Sequence, residues 1–378
     1  MNIAIIIDEL DMGGAQHVVY ELVKHIDLLK NNITIICTDG KVNSWLETRM
    51  LREFNQTLNI IFLKNCPFST SSDAINYLSK IACKIKKNMH QLIITFELYK
   101  VLNKIRPEII HAHQHGILAT IWTILHNVPI ITTIHTNPEA TFPLEIERLF
   151  FILSIRFKIN TLVAISCFNY ELIKKYWRYQ NIHCINDGIE IENYHYLSHE
   201  QFAFINVSRH DENKNQILIL NAFYKLFNED KSISMKLFLI GDGVCHKTLV
   251  QKTKEYDLEN LVIFTGYIDS AKNYYAISDV YISSSHREGL SLSVLEAMAS
   301  RLPIIATDVG GVRELALENG ILINDNDEFG LFIAMKKLRD NKELRLAMWK
   351  KSIEIVRNYS SSEMSNHYCT LYANCLRK

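Results

Sequence analysis

The apolar positions of the chain follow two alternating rhythms. Short stretches rich in apolar residues occur at residues 2–8, 33–37, 60–63, 107–113, 129–134, 161–166 and 181–186. Between them lie stretches of helical spacing, such as Val18, Val19, Leu22, Val23 and Ile26, then Ile75, Leu78, Ile81, Ala82 and Ile85. A short apolar-rich stretch bounded by turn residues predicts a strand buried on both faces, and a spacing of three to four predicts one face of a helix. Alternation of the two predicts a parallel sheet covered by helices. The rhythm restarts at 203–207 and repeats at 236–240, 261–264 with 266–268, 279–283, 303–306 and 320–323; from 328 to 378 the period is helical. The expected fold class is therefore α/β, with two Rossmann-like domains and closing helices free to pack back on the first. Residues 1–190 form the first expected domain and 203–378 the second. The polar, histidine-containing stretch 191–202 reads as a linker. A chain of 378 residues is long enough for two such domains.

Within the second half, residues 279–306 read as strand, Gly-containing loop, helix and strand. A loop feeding a helix presents unpaired N–H groups and the positive end of the helix dipole, which suit a phosphate. Gly289, followed by Leu290 and Ser291, lets the backbone approach such an anion. Glu288 lies beside it, and Glu296 lies more than a turn into the helix. Carboxylates accept well from paired sugar hydroxyls, so the pattern fits a nucleotide-sugar. It also fits an ordinary βα loop with solvated glutamates. Arg209 and Lys214, five apart across another strand-to-helix loop, can both reach one diphosphate or can both be surface cations.

In the first half, a strand leads to Gly13-Gly14 and then a helix, the start of a nucleotide-type layer or a plain tight turn. The adjacent, unrepeated glycines are not the dinucleotide fingerprint G-x-G-x-x-G. His111 and His113 are two apart on a predicted strand and so share a face. His135 follows the next strand. No carboxylate or cysteine at zinc-type spacing supports a metal site from His111, His113, His115 and His135, and buried hydrogen-bonded histidines are the alternative. Asp325-Asn326-Asp327 looks like a D-x-D metal motif but follows the last strand and reads as a turn.

Composition narrows the classes. There are 41 Lys and Arg and 41 Asp and Glu, so the net charge is zero and a nucleic-acid partner is not suggested. The eight cysteines include no C-x-x-C pair and read as free, mostly buried thiols of a reducing compartment. No secretory leader or bilayer-length apolar run is visible, so a cytoplasmic protein is expected. Lys80, Lys84 and Lys87 lie along one predicted helix face, and residues 73–106 hold seven Lys and Arg against two Asp and Glu. This is a solvated face or a patch for an anionic membrane.

The text EGLSLSVLEAMASRLPIIATDVGGVREL at 288–315 resembles the donor-site signature of the retaining family 4 glycosyltransferases of the GT-B fold. Ser291 and Ser293 stand where that family usually has a small residue and proline; Asp187 and Glu190 replace the family's Asn and Asp in Asn-Gly-Ile-Asp. The resemblance implies two domains facing across a cleft, the second holding a nucleoside-diphosphate sugar and the first a glycan or lipid-linked acceptor. It implies that Glu288 faces the donor sugar and Glu296 the ribose. Arg209 and Lys214 match the family's cation pair on the diphosphate, Gly241 lies in its I-G-D-G turn, and Tyr267 lies where it seats the base. The amides of Gly289, Leu290 and Ser291 would take the departing diphosphate. Gly13 and Gly14 match its Gly-Gly-Ala turn on the donor. His135 matches its acceptor-side histidine near the donor sugar, with His113 as the second candidate. Glu288, His135, Arg209 and Lys214 are thus the expected catalytic set, with no metal or cofactor beyond the co-substrate. The implied activity is a retaining hexosyltransferase of polysaccharide or lipopolysaccharide assembly, peripheral on the inner membrane face. A nucleotide-sugar epimerase and a non-catalytic nucleotide-sugar-binding subunit are the rival readings.

Overall fold

A computed structural model of the chain describes residues 1–10, 13–39, 44–54, 57–63, 77–136, 138 and 145–377. The side chains of 77–87, 114–116 and 145 lie outside that description, and with them Lys80, Lys84, Lys87 and His115. The chain divides into two compact units, Met1–Asn186 with Met364–Lys378, and Asp187–Glu363.

In the first unit the order is β1 (Asn2–Ile7), α1 (Gly14–His25), β2 (Asn32–Cys37), α2 (Trp45–Phe54), β3 (Asn59–Phe62), α3 (Tyr77–Ile105), β4 (Ile109–His113), α4 (Thr120–His126), β5 (Ile130–Ile134), α5 (Glu145–Arg156), β6 (Asn160–Ala164), α6 (Cys167–Trp177) and β7 (Ile182–Cys184). The strands form one parallel sheet in the order β3-β2-β1-β4-β5-β6-β7. Ile110, Ala112, Ile130 and Ile134 point to one face, where they pack with Leu98 and Leu102 of α3, Trp122 of α4, Phe150 and Phe151 of α5 and Ile173 of α6. His111 and His113 alternate with these and lie on the opposite face, as the period of two requires.

The second unit contains β8 (Phe202–Val207), α7 (Gln216–Glu229), β9 (Met235–Ile240), α8 (His246–Glu255), β10 (Val262–Gly266), α9 (Lys272–Ala276), β11 (Val280–Ser283), α10 (Leu292–Ala299), β12 (Ile304–Thr307), α11 (Val312–Ala316), β13 (Gly320–Ile323), α12 (Glu328–Asp340) and α13 (Lys342–Val356). Its parallel sheet runs β10-β9-β8-β11-β12-β13. Strand order therefore reverses between β1 and β4 in the first sheet and between β8 and β11 in the second. Loops at the carboxyl ends of strands beside such a reversal are where open α/β sheets hold ligands.

The bounds of the units differ from the expected ones in three places, although the return of the last helix to the first unit is itself among the expectations. The stretch 191–202 is docked on the second unit and is not a free linker. Tyr194 binds Glu296, the Leu197 N–H donates to the Ala276 carbonyl at 2.7 Å, and His199 lies 2.9 Å from Asp279. The turn at Asp187–Glu190 also joins the second unit, because Ile189 bridges Ser360 and a Cβ on Gly188 would stand 2.5 Å from the Ser360 carbonyl oxygen. The last helix, α14 (Ser361–Leu376), crosses the division, and its larger part belongs to the first unit. Tyr368 and Tyr372 of α14 are fully buried there. Among the described cysteines, all free, Cys37 is buried, Cys245, Cys369 and Cys375 are half-buried, and Cys167 and Cys184 are exposed, so the expected burial holds for Cys37 alone. No helix among the described residues is long and apolar enough to cross a membrane.

Candidate functional site

In the second unit the loops after β8, β9 and β11 carry the polar groups. The loop after β8 is fixed before it reaches α7. The Lys214 N–H donates to Asp211 Oδ1 at 3.0 Å, and Asn215 takes the left-handed conformation, with φ of 48°, that Asn tolerates better than most residues. The Ser284 hydroxyl, at the end of β11, donates to the carbonyls of Lys214 and Asn215 at 2.7 and 3.0 Å. This stitching aims Lys214 at the loop after β11. Its Nζ donates to Glu288 Oε1 at 2.5 Å, and the Ser285 hydroxyl donates to the same oxygen at 2.8 Å. The two charged side chains are only 20% and 12% exposed, so they are held more firmly than a surface pair. Arg209 differs: its side chain is 74% exposed and its Nε rests 2.7 Å from Asp211 Oδ2.

The backbone below Glu288 depends on a glycine that is not itself charged. Gly310 has φ of +55°, and a Cβ there would lie 1.7 Å from the Glu288 carbonyl oxygen. Beside it the Gly311 N–H donates to the Gly289 carbonyl at 3.0 Å. Leu290 and Ser291 are buried, and Ser291 precedes α10 without using its side chain as a cap. The first-turn amides of α10 therefore have no side-chain cap competing with an anion. Gly241 is equally constrained, with φ of +130° and a Cβ position 2.1 Å from the Ser208 carbonyl oxygen. Tyr267 lies just past β10 and is about two-fifths exposed, at 41%.

Glu296 is occupied. Tyr194 donates to its Oε1 at 2.9 Å and Tyr275 to its Oε2 at 3.1 Å. Burial raises the Glu296 carboxyl above its ordinary range, and the two tyrosine hydrogen bonds oppose that rise. Ser285, Gly310, Tyr194 and Tyr275 were not singled out from sequence. Ser285 and Gly310 lie in or beside the motif text, whereas Tyr194 was hidden in an apparent linker.

The Asp325–Asp327 turn has its carboxylates in structural use: Asp325 lies 2.7 Å from His286 Nδ1, and Asp327 caps α12 by accepting from the Gly330 N–H at 2.8 Å. His210, next to Arg209, is buried and stacks on His246 with ring centroids 5.2 Å apart.

The first unit holds His113 at the end of β4 and His135 just past β5. His113 Nδ1 and His135 Nε2 are 2.8 Å apart and their rings are stacked. Behind them, His111 Nδ1 meets the Tyr372 hydroxyl and His111 Nε2 the Thr133 hydroxyl, each at 2.7 Å. Burial, which disfavours the charged imidazolium, pushes His135 down to about 4 and His111 to about 3, and holds His113 well below its ordinary range. All three are neutral near pH 7. Among the described residues, His113 Nε2 is buried with no hydrogen-bond partner. An unpaired lone pair is tolerated there more readily than an unpaired N–H. The network therefore assigns the His113 proton to Nδ1, donated to His135 Nε2, and leaves the His135 proton on Nδ1. Gly13 and Gly14 also belong to the first unit. Gly13 precedes α1 in extended backbone, and a Cβ there would meet the end of the Gln16 side chain.

Comparison with known proteins adds independent support. The sequence model described as Glycosyltransferase Family 4 matches residues 12–193, and that described as Glycosyl transferases group 1 matches 201–341. The chain is similar to N-acetyl-alpha-D-glucosaminyl L-malate synthase of Bacillus anthracis, at 26% identity over 313 residues that cover 76% of this chain and 80% of that one. It is similar to the UDP-Gal:alpha-D-GlcNAc-diphosphoundecaprenol alpha-1,3-galactosyltransferase of Escherichia coli, at 27% identity over 300 residues that cover 72% and 76%. The structure of Anabaena HepE in complex with UDP matches with a TM-score of 0.78 and 17% identity, over 99% of this chain and 100% of that one. At that identity the likeness concerns the fold, which is GT-B.

Proposed function

Because the chain belongs to glycosyltransferase family 4, we propose that it moves a sugar from a nucleoside-diphosphate sugar to a glycan or lipid-linked acceptor, with retention of configuration, in polysaccharide assembly. The observation that carries this reading is the Lys214–Glu288–Ser285 cluster beside the uncapped start of α10, at the strand-order reversal of the second sheet. In it a cation, a carboxylate and a helix start without a side-chain cap are held together.

The roles follow from the chemistry. Arg209, exposed and weakly tied to Asp211, swings onto the diphosphate, while Lys214 and the amides from Gly289 to Ser291 take the charge that develops as the sugar departs. Removing one donor of this kind typically costs ~10²-fold or more in rate. Glu288 binds the sugar hydroxyls, and Glu296 accepts from the ribose after exchanging a tyrosine partner. Tyr267 carries the base, and the turns at Gly13–Gly14 and Gly241 let backbone approach the donor. His135, a neutral donor oriented by His113, meets the acceptor side of the sugar. These groups supply the positive charge, so the proposed transfer uses no divalent metal. The chain works in the cytoplasm at the inner face of a membrane when its acceptor is lipid-borne.

UDP-sugars come first in the choice of donor, since one structural neighbour holds UDP and one relative is named for UDP-galactose. The test is incubation with UDP-, GDP- and ADP-sugars, with and without a diphospholipid-linked acceptor. A glycosylated acceptor of retained configuration is expected. Acceptor-independent epimerisation, or donor recovered unchanged with every acceptor, would overturn the reading.

A further inference from the structure

Helices α3, α4 and α5 cover the same face of the first sheet, and their inner sides are accounted for by its core. Their outer sides are not uniformly polar. Met89, Leu92 and Phe96 on α3, Leu125 on α4, and Leu149 and Ile152 on α5 are each 51–65% exposed. On α3 the spacing of three and then four places Met89, Leu92 and Phe96 on one stripe, and Leu149 and Ile152 share one on α5. The three helices are neighbours. The Trp122 indole of α4 donates to Asn103 of α3 at 2.9 Å, Tyr99 of α3 contacts the His126 ring, and α5 packs against both other helices. Exposed apolar side chains gathered on neighbouring helices mark an interaction surface.

The charges around it select the partner. Among the described side chains of these helices, Lys100, Lys104, Arg148 and Arg156 are exposed, with Lys158 directly after α5. On the acidic side, Glu97 is paired to Lys100 at 2.9 Å and Glu147 is buried. Lys100 Nζ lies 4.2 Å from the centre of the Phe96 ring, with its stem along the apolar stripe. A second copy of this chain meeting the face by a two-fold axis would set cations against cations. An anionic bilayer meets both features: acyl chains take the apolar side chains and headgroup phosphates take the Lys and Arg ends.

We propose that the outer face of α3, α4 and α5 is a membrane-docking surface for anionic bilayers, held by inserted apolar side chains as well as by charge. It deepens the reading of a membrane-borne acceptor and rests on that reading only for its purpose. It also differs from attachment by a basic stripe at Lys80, Lys84 and Lys87. A purely electrostatic contact is lost in high salt, whereas an inserted apolar face leaves a salt-resistant component.

The test is sedimentation with vesicles of phosphatidylcholine alone, and of phosphatidylcholine mixed with phosphatidylglycerol, at low and high salt, without donor or acceptor. Its failure is therefore separable from failure of the transferase reading. The wild-type chain should bind the anionic vesicles and keep part of that binding in high salt. Leu125→Ser with Ile152→Ser should remove the salt-resistant part and weaken partitioning by roughly tenfold or more. Arg148→Gln with Arg156→Gln should lose the preference for anionic lipid and keep the salt-resistant part. Unchanged thermal unfolding in both variants shows that the fold is intact. The proposal is overturned if the wild type stays in the supernatant, or if either variant sediments like the wild type. It is also overturned if light scattering finds a dimer that Leu125→Ser with Ile152→Ser converts to monomer.

Discussion

The polar clusters of the two units are built on opposite electrostatic terms. In the second unit, Lys214 and Glu288 keep opposite charges in contact near the surface, and Arg209 beside them is largely in water. In the first, His111, His113 and His135 are so desolvated that each remains neutral well below its ordinary pKa. A paired charge near a helix start suits a ligand that brings its own negative charge. A neutral imidazole cluster suits hydroxyl groups, and it is indifferent to the charge of what it binds. In the proposed function the second unit accordingly takes the phosphates and the first the uncharged part of the reaction.

The sharpest way to break that contrast is Glu288→Gln. It keeps side-chain volume and removes one charge, so turnover should fall ~10²-fold or more while stability changes by about 1–2 kcal/mol. Steady-state kinetics beside a urea melt decides it; turnover at the wild-type rate would return Glu288 to a solvated loop. Lys214→Ala comes next. Loss of a charge-assisted contact costs ~1.5–3 kcal/mol, or roughly tenfold to a hundredfold in affinity for free nucleoside diphosphate. His135→Ala should leave that affinity unchanged. Calorimetry on both variants tests the pair, and equal losses would erase the distinction between the units.

A smaller effect should appear with pH. His111 and His135 have folded-state pKa values depressed to about 3 and about 4 from an ordinary 6.5. The unfolded chain then binds protons that the folded unit refuses, so stability falls as pH drops from about 6.5 towards those values. At pH 5 the loss is about 2 kcal/mol for His111 relative to pH 7.5. In the second unit Asp187 is raised to about 8 and His210 is lowered to about 4, both by burial, and these act in opposite directions on acidification. Hydrogen exchange in β4 and β5 should therefore loosen on going from pH 7.5 to pH 5 more than in β11 and β12, after correction for intrinsic rates. Equal loosening would contradict the contrast. Long-range proton–nitrogen spectra of labelled histidine should show His113 and His135 protonated at Nδ1 throughout this range. Smallest of all is the response to EDTA, which should leave transfer unaffected. Loss of activity restored by magnesium or manganese would give the diphosphate a different counter-charge.

The sequence discloses whatever a single strand or loop carries. His111 and His113 share a face because strands alternate, and Arg209 and Lys214 flank one loop because their run is local. The contact between Lys214 and Glu288 is not local. It joins residues 74 positions apart, through the adjacency of β8 and β11 at the strand-order reversal. Parallel sheets place such neighbours far apart in the chain, and nothing in the spacing of either residue announces the other. Tyr194 was obscured for a related reason. A polar, histidine-bearing stretch reads as a linker until its docking partners, Glu296, Ala276 and Asp279, are known.

The division of α14 between the units also sets an order of events during synthesis. Met364–Lys378 completes the first unit, yet it leaves the ribosome after every residue of the second. The Tyr372 hydroxyl that engages His111 is thus the last-made partner of an early-made strand. Domains that emerge early ordinarily fold early, but here the first to appear must wait, incomplete, while the second forms. A nascent chain stalled after residue 363 should accordingly be cut by protease within β4 and β5 while β8 to β13 resist. The return of α14 to the first unit thereby becomes a checkpoint on translation having run through to that helix.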